Sequence, residues 1–429
     1  MTPTPNARGL PASRDNPVTD VDPASTLRGF FSFDTPNQIA VALSGGSDSL
    51  ALLSLLRAWR DEGGPEVSAV TVNHGLRAEA ASEAADMARL CTEWRIDHAT
   101  LAWARENTSG NLHDQARRAR YALMSGWAQE QGIGVIALGH TQDDQAETFL
   151  MRLARGAGVD GLSAMRDRWD QQGITFVRPL LPCRREALRD YLRAKDLSWV
   201  EDAANSDPVY ERSRVRAALP ELGISTQTLA EVAGHLAQAR DALQGVTLDV
   251  ARKVARVEMG DVVIDYKGFA KLSPDLARRL LLSALRWING AEYPPRGTAL
   301  TALYEDVLAK TNATLQGCDV SHAKGAIRLT REAGALRGVT AVPGEIWDGR
   351  WRVTGPNLLN ARVAALGEEA LRHCPDRGDS PLPARSLIAT PAVWQGSKLI
   401  AAPVAGLKNG WTAVLLPRGR GDFADEIAH

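Results

Sequence analysis

The sequence predicts an α/β fold, a doubly wound and mostly parallel sheet, followed by a helical domain and a small, mostly β C-terminal domain. Three observations carry this reading. Apolar strand-like runs alternate with segments of helical periodicity through the first half of the chain. Helical spacing dominates from about Thr226 to Leu308. Beyond about residue 320, short β-like runs are separated by Gly and Pro.

The elements follow in order. Residues 1 to 26 are rich in Pro, Asn, Thr and Asp and read as a mobile leader. Ile39 to Leu43 is an apolar first strand, and Leu50 to Leu56 lies on the helix after it. Val67 to Val72 is a second strand, ending at Asn73-His74-Gly75. Helical spacing of Ala84, Met87, Ala88 and Cys91 marks residues 79 to 94. His98 to Trp103 is a third strand, and residues 112 to 130 form a helix carrying Arg117, Arg118 and Arg120. Gly134 to Leu138 is a fourth strand, ending at Gly139-His140, with a helix from about Asp143 to Ala154. Residues 183 to 219 read as helix, loop, helix. The expected domains are a leader at 1–26, an α/β domain at 27–220, a helical domain at 221–320 with a short break at Gly260 to Ile264, and a β domain at 321–429. No internal repeat is present.

Between the first strand and its helix stands Ser44-Gly45-Gly46-Ser47-Asp48-Ser49. Two glycines let backbone N–H groups approach an anion, and the helix directs its positive end there. The serines add hydroxyl donors, and Asp48 adds a carboxylate able to hold Mg²⁺ against phosphates. This is a pyrophosphate cradle. Ordinary helix capping accounts for the same Ser and Asp residue types, and the strand–turn–helix context favours the cradle. The chain has no G-x-x-x-x-G-K-[ST], so γ-phosphoryl transfer is not indicated.

Ligands of doubly wound sheets bind at the carboxyl ends of the strands. Ser44, Asn73-His74 and Gly139-His140 all fall on that rim. After the fourth strand comes His140-Thr141-Gln142-Asp143-Asp144-Gln145-Ala146-Glu147-Thr148, in which Asp144 and Glu147 share a helix face and could hold a metal or an amine. Capping by Asp143 or Asp144 is the competing reading. Arg155 to Gly161 contains a literal G-x-G-x-x-G, but it follows a helix, so a helix C-cap at Gly156 explains it better than a dinucleotide site. A second polar cluster runs from Trp199-Val200-Glu201-Asp202 to Tyr210, Arg212, Arg214 and Arg216. Arginines two apart point to different helix faces. One or two of them suit phosphate, and the others suit pairing with Glu201, Asp202 or Asp207.

The chain has 429 residues, 44% hydrophobic and 24% charged, with a formal net charge of −1. That is globular composition, with no apolar stretch of membrane-spanning length and no signal-peptide pattern. The four cysteines, Cys91, Cys183, Cys318 and Cys374, form no C-x-x-C pair, which argues against zinc and iron–sulfur sites and suits a reducing cytoplasm. Only eight of the 50 cationic residues are lysine. Arginine suits phosphate and base stacking, although genome composition produces the same bias.

With these clusters in order, the chain resembles the N-type ATP pyrophosphatase (PP-loop, adenine nucleotide alpha hydrolase-like) superfamily, and within it the tRNA(Ile)-lysidine synthetases. The matching residues are Ser44 to Ser49, Val72 to Arg77, Arg117 to Tyr121, Gly139 to Thr148, Arg155 to Gly158, Arg178-Pro179-Leu180-Leu181, and Glu201-Asp202 to Arg216. The chain departs from the family at Ser213, where Asn is usual, and at Ala203-Ala204, where Pro-Ser is common.

The resemblance implies ligation of L-lysine to C2 of the wobble cytidine of a CAU-anticodon isoleucine tRNA, with ATP and Mg²⁺, changing codon reading from AUG to AUA. It implies ATP contacts at Ser44, Gly45, Gly46, Ser47, Asp48, Ser49, Asn73 and His74, with Asp48 the metal ligand. Catalytic residues would be Asp48, His140, Asp144, Glu147 and Arg178. Arg117, Arg120, Arg212, Arg214 and Arg216 would bind tRNA. Asp144 and Glu147 would position the lysine amino groups. The expected setting is cytoplasmic and off the membrane, with a homodimer left open. A cytidine thiolase of the same superfamily would need paired cysteines, which are absent. An amidotransferase-type synthetase suits the long C-terminal segment less well. A non-catalytic tRNA-binding protein would have no need for Asp48, Asp144 and Glu147 together.

Overall fold

The computed structural model describes residues 21–73, 80–103, 112–201, 209, 211–291, 293–375, 380–416, 423 and 427. It divides into two compact units, Met1–Arg240 and Asp241–His429.

The first unit begins with α1 (Pro23–Phe30), capped by the Asp22 carboxylate on the Ser25 N–H. There follow β1 (Gln38–Ala42), α2 (Ser47–Asp61), β2 (Glu66–Asn73), α3 (Ala80–Glu93), β3 (Asp97–Ala102), α4 (Leu112–Glu130), β4 (Val135–Leu138), α5 (Gln142–Leu153), α6 (Val159–Leu162), β5 (Arg168–Gln171), β6 (Ile174–Val177), α7 (Arg185–Arg193) and α8 (Glu211–Ala218). The long α9 (Thr226–Val254) carries the division between the units. The six strands form one sheet in the order β3-β2-β1-β4-β6-β5. All its pairings are parallel except β5 with β6.

The strand sequences explain this burial. Ile39, Ala40 and Val41 of β1 are fully buried, as a strand covered on both faces must be. On one side β1 packs with α2 and α7 through Leu50, Leu53, Leu188 and Leu192. On the other, Ala40, Val70 and Ile136 meet Met124 and Ala128 of α4. The chain leaves β1 toward β2 on one side and β4 on the other, so the switch point lies between β1 and β4. The loops after β1 and β4 are therefore the walls of one crevice. Gly156 takes a left-handed φ of +69° just past α5, as its C-cap reading requires.

The second unit runs across the expected boundary at 320/321. Its elements are β7 (Ala255–Glu258), β8 (Asp261–Asp265), α10 (Tyr266–Phe269), α11 (Pro274–Asn289), α12 (Gly297–Leu308), β9 (Ala313–Leu315), β10 (Cys318–Ala323), β11 (Ala326–Arg331), β12 (Ile346–Trp347), β13 (Trp351–Thr354), β14 (Ala361–Ala365), α13 (Glu368–Leu371), α14 (Ala384–Leu387), β15 (Pro391–Gln395), β16 (Lys398–Ala401) and β17 (Thr412–Leu415). The expected boundary cuts through β10. The break at Gly260 to Ile264 is a hairpin, β7 with β8, and β8 pairs β11 more than sixty residues away. A sheet ordered β7-β8-β11-β10-β9 thus shares its core with α11 and α12, through Ile264, Leu329, Leu281, Leu285 and Leu303. Two three-stranded sheets, β12-β13-β17 and β14-β15-β16, enclose a further core around Trp347, Val363 and Trp411. Among the described residues, no helix is long and apolar enough to cross a membrane.

Candidate active site at the rim of the parallel sheet

The turn after β1 needs the first of its two glycines. Gly45 has φ +83°, a left-handed value that side chains resist. Gly46 is the N-cap of α2, and no side chain caps the helix there. The first-turn N–H groups of α2 consequently face the crevice without an internal carboxylate or hydroxyl acceptor, the usual basis of an anion site. Ser44, Ser47 and Ser49 are tied to the turn itself: the Ser44 and Ser49 hydroxyls lie 3.1 Å apart, and Ser49 Oγ donates to Gly46 O at 3.1 Å. Gly139, just past β4, holds this turn from the other side. A Cβ there would lie 2.7 Å from Ser49 N and 2.8 Å from the Asp48 carbonyl carbon, so only glycine allows the approach.

The α5 N-terminus satisfies both readings of its acidic residues. Thr141 is the N-cap, with Asp144 completing a capping box. Asp144 Oδ2 accepts from Thr141 N at 2.8 Å and from Thr141 Oγ1 at 2.9 Å. Its other oxygen points into the crevice. Next to it, His140 Nδ1 accepts from Arg178 Nε at 2.9 Å, which places the ring proton on Nε2. Burial, reinforced by the Arg178 charge, pushes the imidazole down to about 3, so His140 is neutral. Arg178 in turn stacks on Trp169, 4.0 Å from the ring centroid, and donates to the Arg166 carbonyl.

The centre of the crevice is occupied by a residue that the motif reading passed over. Arg185, the first residue of α7, places each guanidinium nitrogen on a different carboxylate. Nε lies 3.0 Å from Asp48 Oδ2, Nη2 2.9 Å from Asp144 Oδ1 and Nη1 3.0 Å from Glu147 Oε1. Its backbone N–H donates to Asp143 Oδ2 at 2.7 Å. The N-termini of α2, α5 and α7 therefore meet at one ion cluster. The Arg185 side chain is 14% exposed and Glu147 only 1%. Burial disfavours the Arg185 charge, but Asp144, Asp48 and Glu147 outweigh it and hold the guanidinium firmly protonated. Burial raises the Asp48 carboxyl above its usual range, against the pull of Arg185. Burial opposes ionisation of Asp144 as well, yet Arg185 and Arg212 overcome it and keep that carboxyl low.

Arg212 and Arg216 reach the same cluster from α8. They are four residues apart and share a face. Arg216 Nε donates to Glu147 Oε1 at 2.8 Å. Arg212 Nε lies 2.9 Å from Glu147 Oε2 and Arg212 Nη2 3.6 Å from Asp144 Oδ1. The Arg212 contact is an ion pair without hydrogen-bond alignment, so Oε2 remains a buried acceptor lacking a hydrogen bond. The sequence offered Glu201, Asp202 or Asp207 as partners for those of these arginines that do not meet phosphate. Glu201 instead lies 3.8 Å from Arg189, while Asp202 and Asp207 fall outside the described residues. Arg214 faces elsewhere, with Nη1 on the Val209 carbonyl at 2.9 Å.

Of the remaining expected residues, Asn73, Arg117 and Arg120 fall within the described part of the chain. Asn73 ends β2, and its carbonyl accepts from Trp103 N at 3.0 Å. His74 lies outside the described residues. Arg117 is exposed on α4 and sits over Tyr121, 5.8 Å from the ring centroid. Arg120 is half-buried, and burial lowers its basicity, with Arg117 adding to the effect. The charge of Arg117 acts on Arg178 and that of Arg120 on His140, so both arginines lie near that wall of the crevice. Among the described residues no group of three or more acidic, His or Cys side chains is arranged around a common metal position. The donor set still suits Mg²⁺, which takes one or two carboxylates and completes its shell with phosphate and water oxygens. Asp48 beside the uncapped turn is such a donor.

A family model described as a PP-loop domain matches residues 20–222. The chain is 45% identical to a tRNA(Ile)-lysidine synthase of Ruegeria pomeroyi over 95% of this chain and 98% of that one. It is 37% identical to the tRNA(Ile)-lysidine synthase of Mesorhizobium japonicum over 90% and 88%, and 35% identical to that of a Wolbachia from Brugia malayi over 77% and 80%. The chain belongs to the tRNA(Ile)-lysidine synthase family and carries that family's PP-loop domain.

Proposed function

We propose that the protein ligates L-lysine to C2 of the wobble cytidine of the isoleucine tRNA with a CAU anticodon, consuming ATP and releasing AMP and pyrophosphate. The observation that carries this reading is the acidic cluster of Asp48, Asp144 and Glu147 directly beside the uncapped turn at Ser44 to Ser49. One end of that crevice is built for a polyphosphate and the other for cations.

The C2 carbonyl of cytidine has no leaving group. Its oxygen attacks the α-phosphorus of ATP, and pyrophosphate departs toward the N-terminus of α2. Asp48 would hold Mg²⁺, which neutralises phosphate charge when bound. The adenylated O2 is then a leaving group, and the lysine ε-amine attacks C2 and expels AMP. That amine has a pKa of about 10.4 in water, so it must shed a proton before it attacks. Glu147 Oε2, buried and without a hydrogen bond, suits an amino group of lysine, and Asp144 stands beside it. His140, neutral with its proton on Nε2, donates a hydrogen bond rather than carrying charge. Arg178, Arg117 and Arg120 suit the phosphates of the nucleotide and tRNA, as does Arg214. Positioning and charge compensation supply the rate.

The test uses purified protein, ATP, Mg²⁺, radiolabelled lysine and a CAU-anticodon isoleucine transcript. The expected result is label in the RNA, stoichiometric with AMP, and none with a GAU-anticodon transcript. Incorporation of sulfur or ammonia in place of lysine would overturn the assignment.

A further inference from the structure

The three carboxylates of the site come from two separate segments, Asp48 on α2 and Asp144 with Glu147 on α5, and each is buried or nearly so. Carboxylates gathered in this way repel one another and lose hydration, and such a group persists only with a matching cation. Arg185 supplies that cation on three sides at once. It is also fixed at its backbone by Asp143. Withdrawing Arg185 would take one cationic partner from all three carboxylates together and leave Asp48 with the Ser47 hydroxyl alone.

Arg212 and Arg216 are differently placed. They are 43% and 36% exposed and reach the cluster from α8, Arg216 sharing Glu147 Oε1 with Arg185 and Arg212 lying against Glu147 Oε2. Five of the six carboxylate oxygens accept hydrogen bonds: Asp48 from Ser47 and Arg185, Asp144 from Thr141 and Arg185, and Glu147 Oε1 from Arg185 and Arg216. The sixth, Glu147 Oε2, has only the unaligned Arg212.

We propose that Arg185 is a positioning residue, the fixed common counter-ion that sets the spacing of Asp48, Asp144 and Glu147, and that an incoming amine enters at Glu147 Oε2 by replacing Arg212 while Arg185 stays. The second half rests on the assignment of lysine to this cluster; the first half does not. Arg185 thereby links the carboxylate beside the phosphate turn to those facing the amine; at their present spacing the three do not surround a common metal position, and only with the guanidinium gone would they be free to close around a divalent cation.

The experiment compares the full-length protein with Arg185→Lys and Arg185→Met. Two quantities are read: the KM for lysine in the tRNA ligation assay, and Mn²⁺ binding without nucleotide, followed by loss of the free-ion electron paramagnetic resonance signal. The methionine variant should bind Mn²⁺ where the wild type does not, and its lysine KM should rise about tenfold or more, the scale on which supporting ligands act. The lysine variant restores the charge on one nitrogen and should suppress the Mn²⁺ site and recover part of the KM. If the methionine variant does not fold, the lysine variant carries the test alone: a KM raised severalfold without Mn²⁺ binding supports the counter-ion, and a wild-type KM overturns it. A folded methionine variant with no Mn²⁺ site and a wild-type KM overturns the proposal outright. A new Mn²⁺ site with an unchanged lysine KM upholds the counter-ion and removes lysine from Asp144 and Glu147 instead.

Discussion

The two units each bury an ion cluster built on one arginine, and the clusters differ in where the fold puts them. In the second unit, Arg328 of β11 donates to Asp261 of β8 at 2.7 Å and also meets Glu258 of β7. Ser386 donates to the same Asp261 oxygen. Arg328, Asp261 and Glu258 lie on neighbouring strands of one sheet, so this cluster ties elements side by side. In the first unit, Arg185 gathers carboxylates from two helices at the open ends of parallel strands. The chemistry is alike. A cluster within a sheet serves packing, while one at a strand rim beside an uncapped helix start is placed to meet a ligand.

That contrast yields graded expectations. Asp48→Ala should reduce pyrophosphate release by about a thousandfold, the scale of a lost charge-stabilising group, while tRNA binding in a filter assay stays near wild type. Normal release from that variant would remove Asp48 from the phosphate chemistry. In the second unit, Arg328→Met should leave Asp261 buried without its cation and cost roughly 3 kcal/mol in a urea titration. Its rate of lysine ligation at 25 °C should remain within about twofold of wild type, since surface and structural sites act on stability rather than turnover. A large loss of turnover in a folded Arg328→Met protein would erase the distinction between the clusters.

Gly139→Ala tests the wall of the crevice against which the phosphate turn packs. The new Cβ meets the backbone of Asp48 and Ser49, so the turn must move. Displacement of that kind costs about a hundredfold in turnover, with ATP KM raised and the thermal midpoint little changed. The smallest expected effect separates two neighbours on α8. Arg212→Ala should alter the lysine KM more than Arg214→Ala does, because only Arg212 touches Glu147. Equal effects would mean that α8 acts as a general basic surface.

Much of the rim was legible because it is local. Gly45-Gly46 after an apolar strand, and Asp144 and Glu147 at i, i+3 after another, are patterns within a few residues. The parallel sheet followed from alternation alone. Arg185 was hidden because nothing in Arg184-Arg185-Glu186 distinguishes it from an ordinary charged helix start; its three partners lie 38 to 137 residues away. The contact of Arg212 and Arg216 with Glu147 was hidden for the same reason: Glu201 and its neighbours are near in sequence, while Glu147 is near in space. The break at Gly260 to Ile264 was visible, but not that it is a hairpin, because the strands are four and five residues long and β8 pairs with the distant β11.

The most direct test of the account follows one oxygen atom. A CAU-anticodon isoleucine tRNA is prepared with ¹⁸O at O2 of the wobble cytidine and turned over with lysine, ATP and Mg²⁺, and the released AMP is analysed by mass spectrometry. Attack of O2 on the α-phosphorus followed by displacement at C2 transfers that atom, so each AMP should carry one ¹⁸O. AMP free of the label, with lysine nonetheless joined to the tRNA, would contradict the adenylation that the turn at Ser44 to Ser49 is taken to serve.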